Sequence, residues 1–239
     1  MYPHPMTVKL ELNQLLASLP IAEKQELEQH MELVKLRTRQ VLNYIGTPLR
    51  YLYFPLQSAI SVMDMQPSGR VIEVAVVGRE GCYCPSGLVG PATSPTHTIV
   101  QIGGAAWRVS MTTVVAALSR LPVFTQAVHR FNAVLFRHAV ISVGCSQWHS
   151  VEQRLTRWLL AHHQRTGDTI FPFTHDFLAD QLGSQRTTVT EVLSAFQRRS
   201  LVSYSYGKVE LIDIKKLQAL SCECFGLATQ AIEDYLRNL

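Results

Sequence analysis

Two cysteine pairs, Cys82-Tyr83-Cys84 and Cys222-Glu223-Cys224, each enclose a single residue. Thiolates are nucleophiles and soft metal ligands, so such pairs could serve redox chemistry or hold a metal ion. The C-x-C spacing is tighter than that of ordinary zinc sites, and uniting the two pairs requires distant segments to meet. No metal site is therefore expected, and no cofactor is assigned. Nine histidines, among them His138, His162 and His163, could by type supply a haem ligand, but each reads more simply as a satisfied polar residue. His97 with Cys82 or Cys84 can be drawn as base and nucleophile; without a third orienting group the pattern does not read as an enzyme.

A different chemistry lies between Phe173 and Asp213. Thr174 can cap a helix with Asp176 in its first turn, continuing through Phe177, Leu178, Ala179 and Leu182. Gly183 suits the left-handed backbone of a tight interhelical turn. Ser184 can cap the next helix, 185–199, whose Val189, Val192, Leu193 and Phe196 form one apolar stripe. Immediately after it, Leu201 to Ser205 and Lys208 to Ile212 flank Tyr206-Gly207, a β-hairpin pattern. Two helices about a glycine turn, followed by a hairpin, spell a winged helix-turn-helix. Arg186 can fork onto a guanine edge, and threonine and serine hydroxyls can reach phosphates or bases. The candidate DNA contacts are Thr174, Ser184, Gln185, Arg186, Thr187, Thr188, Thr190, Glu191, Arg198, Tyr206 and Lys208.

Such a reader has to be positioned by the rest of the chain. The 239 residues suffice for one to two domains, and 47% hydrophobic with 17% charged residues describes a globular chain. The net charge of +4 is a weak pointer to an anionic partner, and residues 150–239 carry 10 basic and 10 acidic side chains, so placement must do what bulk charge does not. Leu121 to Val143, the most apolar stretch, is broken by His129, Arg130, Arg137 and His138 and makes a poor membrane span. Five cysteines, with no apolar signal region in Met1 to Lys9, suggest a reducing cytoplasm rather than a disulfide framework.

Asn13 to Leu36 reads helical, through Leu15, Leu16, Leu19, Leu27, Met31 and Val34, with Pro20 parting two short helices. Val41 to Ser110 alternates short β-rich runs with Gly and Pro, the texture of a small antiparallel barrel or sandwich. After Pro122, residues Ala127, Phe131, Val134, His138, Ile141, Cys145 and Trp148 recur at alternating four- and three-residue steps, the spacing of a coiled-coil seam. The expected fold is α+β: an N-terminal β-roll over 1–120, a long dimerisation helix over 121–149, and a winged helix-turn-helix over 150–239.

The segments Thr174-His-Asp-Phe-Leu-Ala-Asp-Gln-Leu-Gly183, Arg186-Thr-Thr-Val-Thr190, Leu201-Val-Ser-Tyr204 and Cys222-Glu-Cys224-Phe225 resemble the C-terminal domain of bacterial Crp/Fnr-type transcription regulators. Leu15 to Pro20, Tyr53-Phe-Pro55, Val77-Gly-Arg-Glu-Gly81, Val100-Gln-Ile102 and Val151 to Leu160 extend the resemblance to nearly the whole chain. It implies a cyclic-nucleotide-binding-type β-roll, a homodimer, a palindromic site on double-stranded DNA and a small-molecule effector, with no membrane partner. By the same resemblance Arg79, Glu80, Gly81, Cys82, Thr96, His97 and Thr98 would face the effector.

The sequence departs from the family at both ends. Members that hold cyclic nucleotide place Gly-Glu-Leu and then Arg-Ser or Arg-Thr around the phosphate; here Gly78 to Pro85 and Pro95 to Ile99 offer no arginine in the second place. The cluster cysteines of Fnr-type members have no counterpart before Cys82. In the recognition helix the family's acid and second base are replaced by Thr187 and Glu191. A regulator answering to an effector other than cyclic AMP is expected. The alternative is a protein-interaction module whose winged helix reads no DNA.

Overall fold

The computed structural model describes residues 10–239 apart from positions 84, 89 and 91; the expectations for Met1 to Lys9 and for Cys84 fall outside the described residues. Two short helices, α1 (Gln14–Ser18) and α2 (Ile21–Glu28), are parted by Pro20 as the sequence predicts. The helical texture to Leu36 was misleading. Residues Glu32–Leu36 form strand β1, with Val34 opposite Ala106. Leu27, Met31 and Val34 mimic helical spacing, but the β1 backbone finds its partners on a strand the sequence concealed.

Six more strands follow: β2 (Val41–Asn43), β3 (Tyr51–Pro55), β4 (Ala59–Met65), β5 (Val71–Val77), β6 (His97–Ile102) and β7 (Gly104–Ser110). They pair antiparallel into two sheets, β1-β7-β3 and β2-β6-β4-β5, which make the expected β-roll. Strand β7 went unread because Gly103 and Gly104 look like punctuation. Gly104 is instead a close approach, since a Cβ there would stand 2.8 Å from the Gln57 carbonyl oxygen.

Helix α3 (Met111–Ala117) leads to α4 (Pro122–Trp148), which starts with proline at its first position. The Glu23 carboxylate accepts from the Val123 and Phe124 amides at 3.0 and 2.8 Å, capping α4 from a distant helix. The stripe expected to meet a second copy is buried inside this chain. Ala127, Phe131, Val134, His138, Ile141 and Cys145 are each at most 7% exposed, and of that set only Trp148 faces out.

The C-terminal part comprises α5 (Val151–Thr166), β8 (Ile170–Phe171), α6 (His175–Leu182), α7 (Arg186–Arg198), β9 (Val202–Ser205), β10 (Lys208–Leu211), α8 (Ile214–Leu220) and α9 (Glu223–Arg237). Strand β8, too short to announce itself, adds to the hairpin in the order β8-β10-β9. Two cores join the parts. Trp158, Phe171, Phe173, Leu193 and Phe196 pack with Ala59, Val76 and Ile102 of the four-stranded sheet. Helix α9 returns along α4, where Tyr235 meets Phe131 at 5.3 Å between ring centroids in the β-roll core. Among the described residues no single helix is long and apolar enough to cross a membrane.

Candidate functional site

The helix-turn-helix is assembled by local chemistry. Thr174 Oγ1 accepts from the Phe177 amide at 3.2 Å, and Gly183 closes α6 with φ of 57°. Ser184 is not the cap of α7. Its amide is drawn to the Ala179 carbonyl at 2.9 Å, and Gln185 takes the cap position without a side-chain bond. Val189, Leu193 and Phe196 are buried beneath α7, leaving Gln185, Arg186, Thr187, Glu191 and Arg198 exposed.

One of the predicted contacts is engaged within the chain. Thr190 Oγ1 donates to the Arg186 carbonyl at 2.9 Å and accepts from His175 Nδ1 at 2.8 Å, so it serves the joint between α6 and α7. Burial, with Arg186 nearby, holds the His175 pKa below its ordinary value, consistent with a neutral donor. Thr188 is half-buried in a cleft of about 530 Å³ that it shares with Ser184, Gln185 and Arg70. The wing turn has φ of 49° at Tyr206 and 72° at Gly207, the left-handed pair of a type I′ hairpin. Its tip holds Tyr206 fully in solvent, with exposed Lys208 beside it. Arg70 was not singled out by sequence; a basic residue beside Gly69 gives no local signal of its place against the recognition helix.

The seven expected effector residues do not form one pocket. Arg79 is exposed and lines a shallow pocket beside α9. Glu80 is turned inward, where its Oε1 accepts from the Gly78 amide at 3.0 Å and from Arg165 Nε at 3.1 Å. Arg165, on α5, also donates to the carbonyls of Val76 and Ala161 at 3.1 and 2.9 Å, so the pair is buried and fully engaged. A Cβ on Gly81 would run into the Phe131 ring, and Cys82 is wholly inside the β-roll core. His97 faces away from it, lining the cleft toward α6 with Arg39 and Phe177, while Thr98 is buried and Thr96 half-buried. His97 and Cys82 are thus not assembled as base and nucleophile.

A buried polar cluster links the β-roll to the winged helix. Glu73 Oε2 accepts from Ser61 Oγ at 2.7 Å and Gln101 Nε2 at 2.9 Å. Gln101 Nε2 also donates to Gln181 Oε1 of α6 at 3.2 Å, and His162 of α5 contacts the Gln101 amide oxygen. Burial raises the Glu73 pKa, against the pull of Ser61 and Gln101, and lowers that of His162 to about 3. Both shifts favour neutral partners in this contact. Cys82 lies in the β-roll core, whereas Cys222 and Cys224 face Cys145 and His149.

A rolled sheet, a long helix and a winged helix-turn-helix with an exposed second helix make up an architecture in which one helix is free to enter a groove. Residues 153–220 match the family model of the Crp-like helix-turn-helix domain. The chain is 39% identical over 59 residues to the transcriptional regulator SdrP of Thermus thermophilus, a match covering 25% of this chain and 29% of that protein's length. A transcriptional regulator of the Crp/Fnr family from Eubacterium rectale superposes with a TM-score of 0.65 at 18% identity, over 88% of this chain and 98% of its own. FixK2 from Bradyrhizobium japonicum gives 0.67 at 16% identity, over 80% and 98%. Residues 153–220 thus carry a Crp-like helix-turn-helix domain, and the fold of the whole chain is that of the solved Crp/Fnr-family structures.

Proposed function

We propose that the chain is a homodimeric, sequence-specific DNA-binding regulator whose β-roll answers to an effector other than cyclic AMP. The observation that carries this is the exposed face of α7, where Gln185, Arg186, Thr187, Glu191 and Arg198 lie free of the core, with Tyr206 and Lys208 on the wing. Arg186 would read a guanine edge, Glu191 a cytosine amino group, and Lys208 and Arg198 the phosphates. Thr174 at the cap of α6, Ser184 in the turn, and Thr188 and Thr190 within α7 would position these. Residues 1–120, 121–149 and 150–239 then act as sensor, dimer helix and reader, in the cytoplasm.

The dimer seam is the outer face of α4 rather than the expected one. Phe136, Val140 and Val143 are 73%, 45% and 65% exposed and recur at four- and three-residue steps, continuing Ala133. An apolar stripe of that spacing suits a second copy of the same helix, and a two-fold dimer suits a palindromic site.

Cyclic AMP fits poorly. Its phosphate needs a cation and several donors to replace water. The loop acid Glu80 is committed to Arg165, and the Gly81 position is closed by Phe131. The test is selection of duplexes from a random pool, followed by binding titrations against salt and calorimetry with cyclic AMP and cyclic GMP. An inverted repeat should emerge, with affinity falling as salt rises, and neither nucleotide should bind at micromolar concentration. Absence of any enrichment at low salt would instead support a protein-interaction module, and micromolar cyclic AMP that tightens operator binding would overturn the sensor assignment.

A further inference from the structure

Cys145 lies in the last turn of α4 and His149 is its C-cap, so the two are four residues apart at one helix end. Cys222 is the N-cap of α9 and Cys224 lies in its first turn. Because α9 runs back along α4, these two ends meet. Cys145 Sγ and Cys222 Sγ are 3.7 Å apart, and Cys224 Sγ is 3.7 Å from His149 Nδ1. All four donor atoms lie within 4.8 Å of one another. A tetrahedral zinc ion with Zn–S of about 2.3 Å and Zn–N of about 2.05 Å has S···S edges of about 3.8 Å and S···N edges of about 3.5 Å. One S···S edge and one S···N edge, at 3.7 Å each, match those lengths, and the remaining edges are no longer than 4.8 Å.

We propose that Cys145, His149, Cys222 and Cys224 form a structural zinc site that fastens the start of α9 to the end of α4. Three features beyond the spacing support it. His149 turns Nδ1 into the sulfurs and its other nitrogen, Nε2, to Glu223 Oε1 at 3.2 Å, the carboxylate–histidine arrangement that orients a metal-bound imidazole. Three buried thiols packed merely as small apolar groups would not need that ring orientation. Three thiolates on a dication would leave one net negative charge, and the Arg157 guanidinium, near enough to act on Cys145 and Cys224, would balance it. The amino end of α9 adds its own positive field at Cys222 and Cys224.

Four protein ligands leave no open position, which marks a structural site rather than a catalytic one. An iron–sulfur cubane is a poor fit, because its cysteines bind separate irons and stand farther apart than these atoms. The consequence is mechanical. Ser150, next to His149, caps α5 through a capping box with Gln153, so the ion would fix the direction in which the winged helix leaves α4.

The experiment is metal analysis of the full-length protein purified under reducing conditions, before and after incubation with zinc, followed by exchange with cobalt(II). About one zinc per chain is expected, with the intense thiolate-to-cobalt absorption and visible ligand-field bands of a tetrahedral sulfur-rich site after exchange. Cys222→Ser and His149→Ala should lose the bound metal, Cys82→Ser should keep it, and Glu223→Gln should weaken it about 10- to 100-fold. If a ligand variant does not fold, the wild-type stoichiometry and cobalt spectrum still decide. Wild-type protein that holds no zinc even after incubation, or a Cys145–Cys222 disulfide in the reduced preparation, would overturn the proposal. So would an octahedral cobalt spectrum, or full metal content in both ligand variants.

Discussion

In the first turn of α7, Arg186 Nε lies 3.2 Å from an Asp176 carboxylate oxygen, with the two side chains 66% and 68% exposed. A pair so open to water is worth ~1 kcal/mol or less, so the guanidinium can be released to a base edge at small cost. Arg186→Ala should therefore lose about 1–3 kcal/mol of binding to the selected site and much less on random duplex. Equal losses on both, measured by anisotropy at one salt concentration, would show that it touches only phosphate. The buried histidines belong to the same scale. Burial lowers His138 and His162 to about 3, so the folded chain binds fewer protons than the unfolded one below the ordinary histidine value. Stability is then fully present at neutral pH and lost as pH falls from about 6.5, by about 1.4 kcal/mol per unit for each ring. The raised Glu73 carboxyl works the other way above the ordinary carboxylate range, and one group does not offset two. Urea midpoints from pH 7.5 to 5 should fall, and less steeply in His138→Gln; a flat profile would mean the rings are protonated in the native state.

Helix α4 carries two apolar stripes on neighbouring faces, and they should respond differently to charge. Phe131 is in the core against Tyr235 and under Gly81, so Phe131→Glu should prevent folding rather than divide a dimer. Phe136 and Val140 are in solvent within the chain. Phe136→Glu and Val140→Glu should leave the far-ultraviolet spectrum unchanged, shift the sedimentation coefficient to that of the monomer, and weaken operator binding strongly. Folded variants that still sediment as dimers would move the seam elsewhere. The two elements of the wing behave more locally: the left-handed Tyr206-Gly207 pair sets the hairpin without help from the rest of the chain.

At the scale of the molecule, the β-roll and the winged helix are tied by charge as well as by packing. The Arg165–Glu80 pair spans them with side chains 4% and 5% exposed. Removing one partner strands a buried charge, so Arg165→Met should cost about 3–5 kcal/mol by urea denaturation. Adding Glu80→Leu should restore much of that, because two well-packed apolar groups replace the pair. A double variant no better than the single one would show that the carbonyl contacts of Arg165 at Val76 and Ala161, rather than the ion pair, hold the join. The polar cluster of Glu73, Gln101, Gln181 and His162 crosses the same join, so the winged helix is docked on the outer face of the four-stranded sheet through both.

Across the helix-turn-helix most signals lie within a few residues of their consequence, and there the sequence was sufficient except at Ser184, where Gln185 takes the cap. Thr174 caps the helix it begins, Gly183 makes the turn it permits, and the stripe of Val189, Leu193 and Phe196 buries one face of the helix that carries it. These are short-range preferences of single residues, so the winged helix-turn-helix could be read directly. The choice of face on α4 could not, because both stripes have the same period and only the arrival of α9 and the β-roll decides which is covered. Glu80 was assigned to a ligand from its loop, but Arg165, 85 positions away, reaches it first. Cys145 and Cys222 lie 77 positions apart, and nothing in the segment around Cys145 points to the Cys222-Glu223-Cys224 pair. Their meeting follows from the antiparallel return of one helix along another, a property of how the whole chain packs and not of any segment within it.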